Sequence, residues 1–187
     1  AISPVPVQAQ GVSFSALLDR HQPITPIGYT DFCRNYPREC QLNPAEPLVI
    51  ELTPARMATL ERINAEVNAQ IQYTTDRQQW GVEDRWTLGE TGKGDCEDYA
   101  LLKRQRLAQA GFPRRAMLLS IVMTRGGTGH AVLMVRTTQG DLILDNGRRQ
   151  IVQMHQTRYS FLSHQSQMVR GAFQNFDPVM MSFARQR

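Results

Sequence analysis

Residues 94–111 read GDCEDYALLKRQRLAQAG, and the parsing of this run decides the fold. Gly94 permits a tight entry, Asp95 is a good helix N-cap, and Gly111 with Pro113 is a stop signal. A helix over about 95–110 follows, with Cys96 in its first turn. The unpaired N–H groups and positive dipole end there favour a thiolate, and could later hold an oxyanion. Asp95, Glu97 and Asp98 act in the opposite sense, because negative neighbours raise a thiol's pKa. Taken alone, Cys96 reads more readily as a small buried hydrophobe, the commonest fate of a free cysteine.

Upstream, TPARMATLERINAEVNAQIQY (53–73) is the clearest helix. Thr53 suits the N-cap and Pro54 the first turn, while Met57, Leu60, Ile63, Val67 and Ile71 form an apolar stripe. The polar stretch from Thr74 to Gly94, holding Trp80 and Trp86, is long for a connector and reads as functional or folded on itself. Downstream, RAMLLSIVMT (115–124) reads as a strand covered on both faces. GHAVLMVRTT (129–138) and DLILDNG (141–147) read as two more, joined near Thr138–Gly140 as a hairpin. RQIVQMHQT (149–157) could be a further strand and DPVMMSF (177–183) a last edge segment. Helices first and an antiparallel sheet second give the class α+β. Residues 1–30 read as an extended lead-in, with one short helical turn at FSALLDR, and 31–187 as a single domain.

With 41% hydrophobic and 20% charged residues the chain is an ordinary globular protein, not a disordered one. Its net charge of +4 is spread in short clusters without an aromatic-basic motif, which argues against nucleic-acid binding. No apolar run reaches the length of about 20 residues needed for a membrane span. The chain starts at Ala1, which leaves room for a processed export signal. Cys33 and Cys40 lie in the polar, Pro-containing loop DFCRNYPREC, with Cys96 left over. That spacing predicts a disulfide plus a free thiol, and an oxidising compartment, over three unrelated reduced cysteines.

His130 opens its strand after the glycine-rich TRGGTG, sharing a face with Val132 and Met134. Asp145 ends the next strand. The order Cys96, His130, Asp145 fits nucleophile, base and orienter. The plainer readings are a surface histidine at a strand end and an Asp serving the turn DNG. A hairpin sets Asp145 beside His130 only if it turns near Thr137–Thr138 or carries a bulge. A turn centred on Gln139–Gly140 would leave them several residues out of step.

GDCEDYALLKRQRLAQAG and GHAVLMVRTTQGDLILDN, with IQYTTDRQQWGVEDRW and FCRNYPREC before them, resemble the bacterial transglutaminase-like cysteine proteinases from about residue 30 onward. The resemblance implies a papain-like fold and a catalytic set of Cys96, His130 and Asp145. It also implies a calcium-dependent periplasmic endopeptidase that cuts a large repetitive adhesin near its N-terminus, beside a di-alanine, and so promotes biofilm dispersal. An inner-membrane receptor for cyclic di-GMP would hold it inactive.

The carboxylates beside Cys96 then have a reading. A divalent cation bound by Asp95 and Glu97 would cancel their charge and tie the loop to the helix start. Oxygen-only ligands point to calcium, without the spacing of an EF-hand. Asp95 and Glu97 match the family's metal-binding acids; Asp98 is a further candidate, and Glu83, Asp84 and Asn146 are additions. The plainer reading is that acids in a first turn complement the helix dipole, at roughly 0.3–1 kcal/mol each. Trp80 or Trp86 could line a cleft admitting only small residues, or simply pack. His21, His155 and His164 lack partner spacing, and Met154, Met168, Met180 and Met181 read as core filler. Two other functions use the same residues: an acyl transferase of transglutaminase type, and a non-catalytic calcium-dependent binding module.

Overall fold

The computed structural model describes residues 25–176, which form five-residue or longer helices followed by a six-stranded sheet. The first helix, α1 (Ile27–Asn35), begins behind Pro26 and buries Tyr29 and Phe32. It corrects the extended reading of residues 27–30. Tyr29 packs tilted on Trp86 and edge-on against Phe173, so distant aromatic partners stabilise a helix that local periodicity did not reveal. The expected helical turn at 14–20 and edge segment at 177–183 lie outside the described residues. Cys33 and Cys40 are joined in a disulfide with Cα atoms 5.6 Å apart, at the end of α1.

The next helix, α2 (Pro54–Gln70), has the expected start: Thr53 Oγ1 accepts from the Arg56 N–H at 3.2 Å. Its stripe is buried at Leu60, Ile63 and Val67, and continues into Ile71. The 74–94 stretch does fold on itself. Between the short parallel strands β1 (Gln72–Tyr73) and β2 (Lys93–Gly94) it carries the five-residue helix α3 (Asp76–Trp80), opened by a Thr75–Gln78 capping box. Helix α4 (Cys96–Gln109) then runs as the sequence predicts.

The strands are β3 (Met117–Met123), β4 (Gly129–Thr137), β5 (Gly140–Leu144), β6 (Val152–Gln153), β7 (Ser160–Gln165) and β8 (Phe173–Asn175). All pair antiparallel, in the order β6-β5-β4-β3-β7-β8. The 149–157 strand is reduced to β6, which passes into a single 3-10 turn at Met154–Gln156. One face of the sheet, with Leu119, Leu133, Val135, Leu142 and Leu144, packs under α4 and α2. The other carries a smaller cluster of Leu118, Val122, Val132, Met134, Ile143 and Phe161. Leu60, Leu107 and Leu133 have no exposed surface, so truncating any of them to Ala would cost about 2–5 kcal/mol.

Candidate active site

Cys96 is the first residue of α4, half-buried, and the tight entry before it has a structural cause. A Cβ at Gly94 would run into the Asp98 carboxylate. That carboxylate ties the turn: Oδ2 accepts from Asp95 N at 3.2 Å, and Oδ1 accepts from Thr87 N and Oγ1 at 2.7 and 2.9 Å. The Cys96 thiol donates to Glu97 Oε2 at 3.2 Å, and its sulfur accepts from the Ala131 N–H at 3.4 Å. The sulfur therefore rests against the backbone of β4 next to His130. Burial pushes the thiol pKa well up, and the Glu97 charge pushes it further.

The hairpin carrying His130 and Asp145 turns at Thr138–Gln139, pairing Thr137 with Gly140 and Leu133 with Leu144. Extended by one pair, that register sets Asp145 opposite Val132, two residues out of step with His130. The expectation that only an earlier turn or a bulge could join them is corrected. A diagonal cross-strand neighbour is still within reach of long side chains, and His130 Nε2 lies 2.9 Å from Asp145 Oδ1. With Nε2 engaged, Nδ1 is the ring nitrogen free to take a proton; no hydrogen bond joins the ring to the Cys96 sulfur, whose partners are Glu97 and the Ala131 N–H.

Asp145 is 1% exposed yet well supplied with donors. Gly147 N donates to Oδ1 at 2.8 Å and Tyr159 Oη to Oδ2 at 2.6 Å. Burial alone would raise its pKa, but hydrogen bonds from His130 and Tyr159 outweigh burial and hold it down at about 2. Asp145 is thus a fixed anion behind the imidazole. Tyr159 stands edge-on to the His130 ring at 5.7 Å. Sequence reading missed it, since nothing local to Arg158–Ser160 marks a partner across the sheet.

Acids surround the Cys96 corner in two overlapping groups among the described residues. Carboxylate oxygens of Asp76, Asp84 and Glu97 lie within 4.8 Å of one another, as do those of Asp76, Asp95 and Asp98. Two oxygens on one calcium, each at 2.3–2.6 Å from it, are separated by at most about 5 Å, so the spacing fits. Asp95 Oδ1 is buried without a hydrogen-bond partner, an orphan acceptor awaiting a positive group. Burial and the neighbouring Asp95 push Glu97 well up, and burial lifts Asp76 to about 6 and Asp98 to about 7. Such a cluster is costly to charge without a cation.

Asp76, common to both groups, was not singled out from the sequence. Its one signal is its place behind the Thr75 cap, beside the strand paired to the Cys96 approach. Asp95 and Glu97, the two acids expected to hold a cation, fall in different groups, Asp95 with Asp98 and Glu97 with Asp84. Asp98 is within the spacing, though both its oxygens already accept from Thr87 and Asp95. Asp84 likewise accepts from Gly28 N and Trp86 Nε1. Glu83 is exposed, pairs with Arg77 at 3.2 Å and lies outside both groups, while Asn146 Oδ1 is buried without a hydrogen-bond partner.

Trp86 is core, while Trp80 lies under the Arg85 guanidinium at 4.1 Å. His155 is exposed; His164 is buried, with Nδ1 2.8 Å from the Gln165 carbonyl. Met154 packs on the smaller cluster and Met168 is exposed. His21, Met180 and Met181 lie outside the described residues. Among the described residues, no helix is long and apolar enough to cross a membrane.

No curated protein matches the sequence. Among solved structures, calcium-bound LapG of Legionella pneumophila is similar at 25% identity and a TM-score of 0.53, over 62% of this chain and 67% of that one. EGTA-treated LapG from the same organism is similar at 25% identity and a TM-score of 0.52, over 61% and 64%. The chain thus spans about two thirds of the length of these relatives. A family model described as bacterial transglutaminase-like cysteine proteinase matches residues 20–179. With its mixed helix and antiparallel-sheet architecture, this chain belongs to that family, and it is a cysteine protease of the LapG type.

Proposed function

We propose that this protein is a calcium-dependent periplasmic endopeptidase acting through Cys96, His130 and Asp145. Its substrate would be the N-terminal region of a large cell-surface adhesin, cut beside a di-alanine to release the adhesin and disperse a biofilm. Its regulator would be the periplasmic domain of an inner-membrane cyclic di-GMP receptor, which holds it inactive. The observation carrying this reading is a convergence at one corner. A helix-start thiol, a His130–Asp145 pair and an oxygen-only acid cluster meet there, and Glu97 touches both thiol and cluster.

Asp76, Asp95 and Glu97 would hold the calcium, with Asp84 and Asp98 beside them. Bound there, calcium supplies the positive charge that cancels the acids next to the thiol. Cys96 then gives its proton to His130 Nδ1, and the sulfur attacks the substrate carbonyl. Asp145 fixes the imidazole tautomer and stabilises its positive form. The free N–H groups of the first turn of α4 receive the developing oxyanion. His130 passes its proton to the leaving amine, the C–N bond breaks, and a Cys96 thioester remains. His130 next takes a proton from water, whose oxygen attacks the thioester. That proton returns to the sulfur as the acid product departs.

The test is cleavage of an adhesin-like segment containing Ala-Ala by wild type and Cys96→Ala, with calcium or with EGTA. Cleavage by wild type in calcium alone is expected. Undiminished cleavage in excess EGTA removes the calcium requirement, and cleavage by Cys96→Ala removes the nucleophile.

A further inference from the structure

Lys103 occupies a place in the core that the proposed chemistry does not use. It lies on the same stripe of α4 as Cys96, about 10 Å further along the helix axis, and has no exposed surface. Its Nζ has no hydrogen-bond partner in the protein; the Tyr99 ring is 6.0 Å away. Burial lowers its pKa to about 7, and Asp145 is the charge that opposes the fall.

On α2, the helix packed against α4, two amide oxygens are also without partners: Asn64 Oδ1 and Asn68 Oδ1. Their nitrogens are engaged. Asn68 Nδ2 donates to the carbonyls of Asp145 and Arg148 at 3.0 and 3.2 Å, and Asn64 Nδ2 to that of Arg149 at 3.2 Å. Helix α2 therefore grips the backbone of the 145–149 turn, and Lys103 stands on the helix packed against it. Each of these groups, left unpaired and buried, costs ~1–3 kcal/mol. An ammonium has three donors and the two amide oxygens are acceptors; since none of them is bonded within the protein, a buried water between the two helices would join them.

We infer that Lys103 is a positioning residue: with Asn64 and Asn68 it clamps the 145–149 turn, so that Asp145 keeps its aim at His130. The inference rests on the proposed triad. It also explains why an amine is present where a methionine of similar volume would be neutral or stabilising.

The test is Lys103→Met in the full chain with calcium, on the same Ala-Ala segment. The variant should keep the wild-type Tm, lower kcat roughly 10–100-fold and leave KM within about twofold. In an Asp145→Asn background the same change should alter kcat by less than about twofold, because Lys103 acts through Asp145. Iodoacetamide alkylation of Cys96 gives a readout independent of the peptide and should slow as well. Asn68→Ala, which releases the turn from the other side, replaces Lys103→Met if that variant does not fold, and is read in the same way. An unchanged kcat and alkylation rate, or a cost additive with Asp145→Asn, overturns the inference and leaves the protease reading standing. A wild type that neither cleaves the segment nor shows Cys96 more reactive than an ordinary exposed cysteine overturns the triad, and the inference with it.

Discussion

Tyr159→Phe removes a single oxygen and keeps the ring that packs against His130. That oxygen donates to Asp145 Oδ2 at 2.6 Å, while Oδ1 is served by His130 and Gly147. The Asp145 carboxyl sits at about 2 against an ordinary value of 3.8. At about 1.4 kcal/mol per unit, such a shift is on the order of 2–3 kcal/mol of stability, and the group is too buried for solvent to screen it much. Tyr159 is one of three donors, and a hydrogen bond to a buried charge contributes about 1.5–3 kcal/mol. The variant should therefore lose about 1–2 kcal/mol, or roughly 3–6 °C in Tm for a domain of this size. The sign follows from the depressed pKa: the contribution is present above pH 3.8 and is lost as pH falls toward 2. Urea denaturation of both proteins at pH 7, 5 and 3, at fixed calcium, measures it. The gap should be full at pH 7 and 5 and smaller at pH 3. Equal gaps at all three pH values would mean lost packing rather than a lost bond to an anion, and no gap would refute the reasoning outright.

Three further outcomes are expected. Cys96→Ala should abolish cleavage while retaining the fold by circular dichroism; product masses from wild type should show cut peptide, whereas cross-linked or deamidated product would indicate acyl transfer instead. Asp76→Asn should raise the calcium concentration for half-maximal cleavage by about tenfold or more, with Glu83→Gln indistinguishable from wild type in the same titration. In EGTA, stability should decline as pH rises from about 4 to 7: the pKa values of Asp76 and Asp98 are raised to about 6 and about 7, so their contribution is full below 3.8 and is lost as each ionises. Calcium should flatten that slope, and Tm values at pH 5 and 7.5 with and without EGTA test it.

What could be read in the sequence was written locally. Thr53 and Pro54 announced α2, Asp95 and Gly111 bounded α4, and Cys33 and Cys40 declared their bridge within seven residues. The candidate chemistry at Cys96, His130 and Asp145 was legible as an order of residue types. What stayed hidden depends on closure across the chain. Helix α1 is stabilised by Trp86 and Phe173, far away in sequence. Strand β7 inserts beside β3 and not beside its chain neighbour β6. Asp76 and Tyr159 matter only because folding brings them to Asp95 and Asp145. The hairpin register was misjudged because strict opposition was demanded where a diagonal contact suffices.

Tyr159 immediately precedes β7, and this position bears on the timing of assembly. Helix α4 and strands β3, β4 and β5 follow one another along the chain and neighbour one another in space, so short loops close most of their contacts quickly. Strand β7 must instead come back past three finished strands, β5, β4 and β3, to pair with the far edge of β3. A refolding chain would therefore bring Cys96, His130 and Asp145 together first and receive the phenol last. In a stopped-flow experiment, hairpin formation would precede full competence, and the lag between them would report the docking of a single late strand.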